Sequence, residues 1–173
     1  MRKILVVVDM QKDFIDGTLG SDEAQAIVRP VLEKMTSYRK SDIYVTRDTH
    51  GEDYLQTAEG RKLPVVHCVK GTEGWQLHPE VEAGADQDHI IDKPTFGSLK
   101  LMELLREENE KETLEIELVG LCTDICVVSN ALLLKAAMPE NEIRVDAGCC
   151  AGVTPESHVS ALETMKRCQI GVI

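Results

Sequence analysis

The stretch Ile4-Leu5-Val6-Val7-Val8-Asp9 decides the fold of this chain. Its five apolar, β-favouring residues do not alternate with polar ones, which predicts a strand that is covered on both faces, as in a parallel sheet. Strands alternating with helices predict an α/β protein. Similar short runs recur at 43–45, 64–69, 89–91, 114–119, 143–145 and 169–173, and helical spacing at about 21–38, 98–110, 124–138 and 155–167.

The alternation also predicts the architecture. Short links that contain glycine are typical of a doubly wound, mostly parallel sheet, here with about six strands in a three-layer, Rossmann-like arrangement. Ligands of such sheets bind beyond the C-terminal ends of the strands, so functional residues are expected where strands end. The irregular stretch at about 49–88 is too long for a simple connection and is expected to carry part of the site.

Length and composition indicate one domain that spans residues 1–173. The chain is 43% hydrophobic and 28% charged, as globular proteins are. Its formal net charge of −11 repels phosphate backbones and anionic lipids, so neither nucleic acid nor a membrane surface is an expected partner. No apolar run approaches the roughly 20 residues needed to span a bilayer. Small neutral substrates remain possible.

The cysteines predict a reducing compartment. Only five apolar residues precede Asp9, too few for the hydrophobic region of a signal peptide, so a cytoplasmic protein with six free thiols is expected. The sequence contains no C-x-x-C pair. This absence argues against a zinc knuckle and against a thioredoxin-like redox centre.

Asp9 is the first candidate for a functional residue. It directly follows five apolar residues, so its carboxylate is expected in the crevice beyond the end of the strand. Aspartates at strand ends also commonly cap the following turn. Position alone leaves both interpretations open.

Cys126 is the candidate nucleophile. The segment 118–128 runs from a buried strand into a helix that is predicted to begin near Thr123, which places Cys126 in the first helical turn. Unpaired N–H groups and the positive end of the helix dipole favour a thiolate there, and the same groups can bind an oxyanion. A buried structural cysteine is the alternative.

Lys93 lies at the end of another predicted strand. An ammonium close to a thiol lowers the pKa of the thiol by stabilising the thiolate. Most lysines are solvated surface residues. Here, however, Asp9, Lys93 and Cys126 reach the same edge of the predicted sheet from three different strands, and this convergence favours a functional role.

Three motifs resemble the signature of the nicotinamidase/isochorismatase-like cysteine hydrolases. They are D-M-Q-K-D-F at 9–14, K-P-T-F-G-S at 93–98 and G-L-C-T-D-I-C-V at 120–127. The resemblance extends over nearly the whole chain, with the motifs in the family's order. It implies an isochorismatase-like fold.

The resemblance also implies the roles of the residues. Asp9 corresponds to the general base and acid, Lys93 to the stabiliser of the thiolate and Cys126 to the nucleophile. A cis peptide is implied between Leu121 and Cys122. The N–H groups of Cys122 and Cys126 are then expected to form the oxyanion hole.

A divalent metal site is predicted from a second group of residues. A carboxylate and an imidazole at i and i+2 on an extended segment face the same side, so Asp48 and His50 offer two ligands from one strand end. D-x-H by itself also occurs in ordinary polar loops. In metal-bearing nicotinamidases similar to this chain, further acidic and histidine ligands follow, and Glu59 and His67 match them. Zinc, iron and manganese all suit two histidines with two carboxylates.

Phe14, Phe96 and Leu121 are the predicted substrate contacts, Phe14 above all because it belongs to the Asp9 motif. Tyr54 and Trp75 are the other aromatic candidates. The chain has only six aromatic side chains, so a role in the core explains any one of them equally well. Similar nicotinamidases often carry an aromatic residue just before the metal-binding histidine, where this sequence has Pro-Val-Val.

The resemblance implies a metal-containing cysteine amidohydrolase of the nicotinamidase type, which converts nicotinamide and water to nicotinate and ammonia through a thioester. The metal motif favours nicotinamide over ureido, carbamoyl or other small amides, because relatives that act on those compounds generally lack it. A non-catalytic α/β binding module is the alternative from a different class. The resemblance further implies a homo-oligomer, either a dimer or a tetramer.

Overall fold

A six-stranded sheet forms the centre of the computed structural model, which describes residues 1–173. The strands are β1 (Arg2–Val8), β2 (Ile43–Asp48), β3 (Ile90–Lys93), β4 (Leu114–Leu121), β5 (Ile143–Ala151) and β6 (Gly171–Val172). Their order is β3-β2-β1-β4-β5-β6, and every pairing is parallel. The predicted fold class is confirmed, with β1 at the centre as its unbroken apolar run requires.

Helices cover both faces of the sheet. They are α1 (Lys12–Ile15), α2 (Asp22–Ala26), α3 (Val28–Met35), α4 (Ala58–Lys62), α5 (Pro79–Ala83), α6 (Leu99–Lys111), α7 (Val128–Ala137) and α8 (Pro155–Arg167). Short 3-10 turns occupy Lys40–Asp42, Tyr54–Gln56 and Gln87–His89, and a π-helical turn occupies Thr123–Val127. None of the helices is both long and apolar enough to cross a membrane.

Alternate residues of β1 belong to two separate cores. Ile4, Val6 and Val8 pack in the core beneath α6, α7 and α8, whereas Leu5 and Val7 pack in the core beneath α2, α3 and α5. Successive side chains of a strand point to opposite faces, so a strand buried on both sides must be apolar at every position. This arrangement accounts for the three layers.

Two predicted helices differ from the observed ones. The stretch 21–38 forms α2 and α3 in succession. Pro30 has no N–H group to donate to the carbonyl of Ala26, the residue at which α2 ends. The stretch 124–138 begins with the π-helical turn, and regular α-helix follows only from Val128. Apolar spacing alone does not distinguish a wide turn from a regular one.

The predicted strand at 64–69 is wrong. Only Val69 makes a bridge, to His50, and residues 64–68 run as irregular chain beside the end of β2. Cys68 has a φ of +47°, a left-handed conformation that interrupts the extended backbone of a regular strand. The chain turns there, so this segment contributes to the site instead of the sheet.

Gly120 lets β1 and β4 approach each other where the two strands reach the functional edge. It has a φ of +115°, and a Cβ atom on it would lie 2.2 Å from the carbonyl oxygen of Val8. The pairing of β4 with β5 is also irregular between Leu118 and Gly120. Only glycine satisfies both the conformation and the contact.

Replacing Gly120 with alanine is therefore expected to separate β1 from β4. We expect the free energy of unfolding to fall by about 3 kcal/mol or more, from the positive φ and the overlap with β1. Chemical denaturation of both proteins measures the difference. Gly148→Ala is the control, because its Cβ would meet only Asp146 Oδ1 at 3.4 Å, and an equal loss in both variants would contradict the close-approach argument.

Candidate active site at the C-terminal edge of the sheet

Three strands bring Asp9, Lys93 and Cys126 together, as the sequence predicts. Lys93 ends β3, Asp9 follows β1 with a φ of +48°, and Cys126 lies in the π-helical turn after β4. The Lys93 Nζ atom lies 2.7 Å from Asp9 Oδ2 and 3.4 Å from Cys126 Sγ. All three residues are buried. Lys93 therefore contacts both other residues of the predicted triad.

Further contacts fix the two charged members of this triad. The Thr46 hydroxyl donates to Asp9 Oδ1 at 2.7 Å, and Lys93 Nζ donates to the carbonyl of Thr95 at 3.0 Å. Sequence reasoning did not single out Thr46. A hydroxyl directly after the apolar run of β2 was the available indication, since a buried hydroxyl needs a partner.

Burial governs the protonation of the triad. Burial raises the pKa of the Cys126 thiol well above its usual range, and the Asp9 carboxylate raises it further, while the Lys93 ammonium opposes the shift. Burial likewise raises the pKa of Asp9, against the opposing effect of Lys93. Burial therefore opposes the thiolate that the lysine and the helix N-terminus are expected to favour.

The Lys93 ammonium stays charged in this environment. Burial alone would lower its pKa, but the neighbouring Asp9 and Asp48 carboxyl groups and the Cys126 sulfur outweigh burial and raise it. Asp48 Oδ1 lies 3.2 Å from Lys93 Nζ. The lysine therefore remains a cation throughout any proton exchange between Asp9 and Cys126.

The predicted metal ligands surround the other oxygen of Asp48. Asp48, His50 and His67 are buried and offer ligand atoms that all lie within 4.8 Å of one another. Asp48 Oδ2 is 2.9 Å from His50 Nε2 and 3.7 Å from His67 Nε2. Glu59 Oε1 is slightly farther away, 3.7 Å and 3.8 Å from the same two nitrogens.

The orientation of the two histidine rings fits a metal ion. His67 Nδ1 lies 2.7 Å from the carbonyl oxygen of Val65, which can only accept, so His67 Nε2 is the nitrogen that faces Asp48 and Glu59. The His50 Nε2 atom is buried and, although it lies 2.9 Å from Asp48 Oδ2, it makes no hydrogen bond of good geometry. Nitrogen lone pairs and the carboxylate oxygens of Asp48 and Glu59 converge on one point, where a cation relieves their repulsion.

The electrostatics of His50 agree with this interpretation. Burial alone would lower the pKa of His50, but the carboxylates of Asp48 and Glu59 outweigh burial and raise it. The negative potential at His50 therefore favours a positive charge there. A divalent cation satisfies that requirement while using the nitrogen as a ligand.

A cavity of about 560 Å³ opens beside the triad and the histidines. Its walls include the three predicted substrate contacts, Phe14, Phe96 and Leu121, and Cys126 also faces it. Phe14 packs against the ring of His67, with the centroids 5.6 Å apart. Mostly apolar walls around a few polar groups are typical of sites for small ring compounds.

The other two aromatic candidates support the site from behind. Tyr54 is buried against both histidines, with ring centroids 4.7 Å from His50 and 4.9 Å from His67. The Trp75 indole donates to Thr49 and does not line the cavity. Neither ring is available to stack on a ligand in this cavity.

The turn that carries the nucleophile has the backbone expected from the resemblance. The Leu121–Cys122 peptide is cis. The N–H groups of Ile125 and Val127 both donate to the Cys122 carbonyl, at 3.1 Å and 3.0 Å. Cys126 is thereby held between two anchored residues.

Asn130 is a site residue that sequence reasoning missed. It is buried in α7, where its Nδ2 donates to the carbonyls of Cys126 and Phe96, at 2.8 Å and 3.1 Å. Its Oδ1 accepts from the Ser98 N–H at 2.9 Å. The side chain thus ties the nucleophile's turn to the loop that follows Lys93. A polar amide directly before the apolar run Ala131–Leu134 of α7 was the available indication.

Replacing Asp9 with asparagine tests the protonation scheme. Because the Asp9 carboxylate raises the pKa of the Cys126 thiol, its removal lowers that pKa and the thiolate forms at lower pH. We expect Cys126 to react with iodoacetamide on the order of tenfold faster at neutral pH in Asp9→Asn than in the wild type. Mass spectrometry of the Cys126 peptide across a pH series measures this rate.

The exposed Cys168 thiol provides an internal reference in the same samples, because its alkylation rate should not respond to the substitution. A Cys126 that reacts more slowly in Asp9→Asn, or equally fast, would contradict the scheme. The pH profile adds a second criterion, since the profile for Cys126 must move to lower pH while that for Cys168 stays in place.

Comparisons with known proteins agree with this geometry. Residues 3–173 match the isochorismatase domain family. The nicotinamidase/pyrazinamidase of Mycobacterium tuberculosis is 26% identical over 99% of this chain and 98% of its own length. The pyrazinamidase of Pyrococcus horikoshii in complex with zinc has a TM-score of 0.78 at 25% identity, covering 100% of this chain and 99% of that one.

A second solved structure gives the same result. The nicotinamidase/pyrazinamidase of Bacillus subtilis has a TM-score of 0.81 at 26% identity, with 99% of each chain covered. The family expected from the three motifs is therefore confirmed: this chain belongs to the isochorismatase domain family.

Proposed function

We propose that this protein is a metal-dependent nicotinamidase, which hydrolyses nicotinamide to nicotinate and ammonia. The observation that carries this proposal is that Cys126 and the metal-binding residues Asp48, Glu59 and His67 face one mostly apolar cavity. A nucleophile for an amide and a binding site for a ring nitrogen then lie side by side. The names of the relatives in Mycobacterium tuberculosis and Bacillus subtilis support the same substrate.

The first half of the reaction uses the thiol and its neighbouring base. The Cys126 sulfur attacks the carboxamide carbon while its proton passes to Asp9, and the carbonyl oxygen becomes an oxyanion. The N–H groups of Cys122 and Cys126 bind that oxyanion. The C–N bond then breaks, Asp9 returns the proton to the departing nitrogen, and ammonia leaves a thioester behind.

The second half regenerates the enzyme. Water attacks the thioester carbon while Asp9 takes one of its protons, the C–S bond breaks, and the proton returns to the Cys126 sulfur. Lys93 remains protonated in both halves. Its ammonium offsets the negative charge that moves between the carboxylate and the sulfur, 2.7 Å and 3.4 Å away.

Asp48, His50, Glu59 and His67 would hold a divalent ion, for which zinc, iron and manganese are the candidates. When bound, the ion would supply a Lewis acid for the ring nitrogen of the substrate. Phe14, packed against His67, forms one wall of the ring's position. Aliphatic amides have no ring nitrogen to place there, which favours the linear carboxamides of pyridine and pyrazine.

The Cys126→Ala variant is expected to lose ammonia release from nicotinamide by at least about a thousandfold, because the sulfur that forms the thioester is removed. A coupled ammonia assay measures the loss. Cys168→Ala is the matched control and should keep wild-type turnover, because Cys168 is exposed and does not line the cavity. Wild-type-like turnover in Cys126→Ala would rule out the mechanism. Activity of the wild-type enzyme on ureido or carbamoyl amides alone would show that nicotinamide is not its substrate.

Removal of the metal with a chelator is expected to abolish nicotinamide turnover, and added Zn²⁺, Fe²⁺ or Mn²⁺ should restore it.

His50→Ala should lower turnover at limiting metal by at least on the order of tenfold, since a ligand is lost. His89→Ala is the control, because His89 packs on Tyr44 outside the site. Full turnover in the metal-free protein would refute the metal requirement.

We further propose a cytoplasmic location and a homo-oligomer, either a dimer or a tetramer. A catalytic thiol and five further free cysteines suit a reducing compartment. Phe96 is 43% exposed although it lines the cavity, so a neighbouring subunit that covered it would also close the pocket.

A further inference from the structure

Gln11 holds the backbone of Asp48 from both sides. Its Oε1 accepts from the Asp48 N–H at 2.7 Å, and its Nε2 donates to the Asp48 carbonyl at 2.8 Å. The same Nε2 donates to the Trp75 carbonyl at 2.9 Å. Gln11 is fully buried, so none of these bonds competes with solvent.

This contact continues the sheet after the strand itself has ended. The last register pair of β1 with β2 joins Val8 to Thr46, and the chain then turns away at Asp9. Asp48 lies two residues farther along β2, where no backbone of β1 remains to pair with it. The Gln11 amide takes the place of a peptide group and satisfies both polar atoms of the Asp48 main chain.

Gln11 is itself held firmly enough to act as an anchor. The residues on either side of it pair with a second segment, because Lys12 N–H donates to the Gln76 carbonyl at 3.0 Å and His78 N–H donates to the Met10 carbonyl at 2.8 Å. Gln11 and Leu77 form the antiparallel bridge between them. Gln11 therefore holds Asp48 against a short antiparallel pair of segments, residues 10–12 and 76–78.

The position of Asp48 matters because its two oxygens have different partners. Oδ1 lies 3.2 Å from the Lys93 ammonium, and Oδ2 lies 2.9 Å from His50 Nε2. A small rotation of the Asp48 backbone would lengthen one contact as it shortened the other. The carboxylate serves the triad and the histidines together only if its main chain is fixed.

Asp13, two residues farther on, acts in the same way on the other side of the histidines. Its Oδ2 accepts from the Cys68 N–H at 2.8 Å. Cys68 follows His67 directly and has the left-handed conformation that turns the chain there. The bond therefore holds the turn that presents the His67 ring.

We propose that Gln11 and Asp13 are positioning residues for the metal site. Through these two residues, the segment 9–13 fixes Asp48 and the turn that carries His67. The segment that supplies Asp9 therefore positions the metal ligands as well. The inference rests on the metal site of the proposed function. It goes beyond that function because neither residue contacts the ion or the substrate.

The test measures the Zn²⁺ affinity of the metal-free full-length chain by competition with a chromophoric chelator. Gln11→Met keeps the volume of the side chain and removes all three hydrogen bonds, so we expect its dissociation constant for Zn²⁺ to rise at least about tenfold. The absorption spectrum of bound Co²⁺ reports the ligand geometry independently and should also change. Neither readout depends on turnover.

Asp13 supplies the second arm of the experiment. Asp13→Ala removes the acceptor for the Cys68 N–H and should weaken Zn²⁺ binding about tenfold. Asp13→Asn retains an acceptor oxygen and should keep the dissociation constant within about threefold of the wild type. Val31→Ala, a buried substitution in α3, is the control for a general loss of stability and should lower the unfolding temperature without changing the affinity.

Each result distinguishes the inference from the proposed function. Wild-type Zn²⁺ affinity in Gln11→Met, with an unchanged Co²⁺ spectrum, overturns the inference and leaves nicotinamide hydrolysis standing. A wild-type chain that binds no Zn²⁺ overturns both the inference and the metal requirement. Gln11-dependent Zn²⁺ binding without nicotinamide turnover supports the inference and refutes the function. If Gln11→Met does not fold, equal affinities in Asp13→Ala and Asp13→Asn overturn the inference.

Discussion

The site depends on the buried ammonium of Lys93. It lies 2.7 Å from Asp9, 3.2 Å from Asp48 and 3.4 Å from Cys126, which come from three other segments of the chain. A buried charge without partners is strongly destabilising, so these groups must remain in place around it. Because two carboxylates accompany one lysine, negative charge is left over on the side of Asp48. A divalent cation at the histidines would compensate for that excess.

Burial opposes the charged form of both Asp9 and Cys126. It raises the pKa of each group, while the neighbouring Lys93 ammonium lowers both. In the proposed reaction, this cation stabilises whichever of the two groups is negative. The same carboxyl group then acts as base towards the thiol and as acid towards the leaving nitrogen.

The proposed metal ligands come from parts of the chain that have little regular structure. Asp48 ends a strand, but His67 and Glu59 belong to the stretch between β2 and β3, which contains only short helices and turns. Side chains buried behind the ligands hold this stretch in place. Tyr54 packs on both histidine rings, and Gln11 and Asp13 bond to its neighbouring backbone. Rigidity at the metal site thus comes from buried hydrogen bonds and aromatic packing.

The sequence by itself determined the fold class and the triad. Apolar runs report burial on both faces of a strand, and residues just after them lie at one edge of a parallel sheet, which is local information. Only the tertiary structure decided how Thr46, Gln11 and Asn130 support the site, because Asp9, Asp48 and Ser98, which they contact, are more than thirty residues away from them. It also decided that 64–69 is not a strand and that burial raises the pKa of the Cys126 thiol. The left-handed turn at Cys68 and the degree of burial around a sulfur arise from packing between distant segments, which no local pattern records.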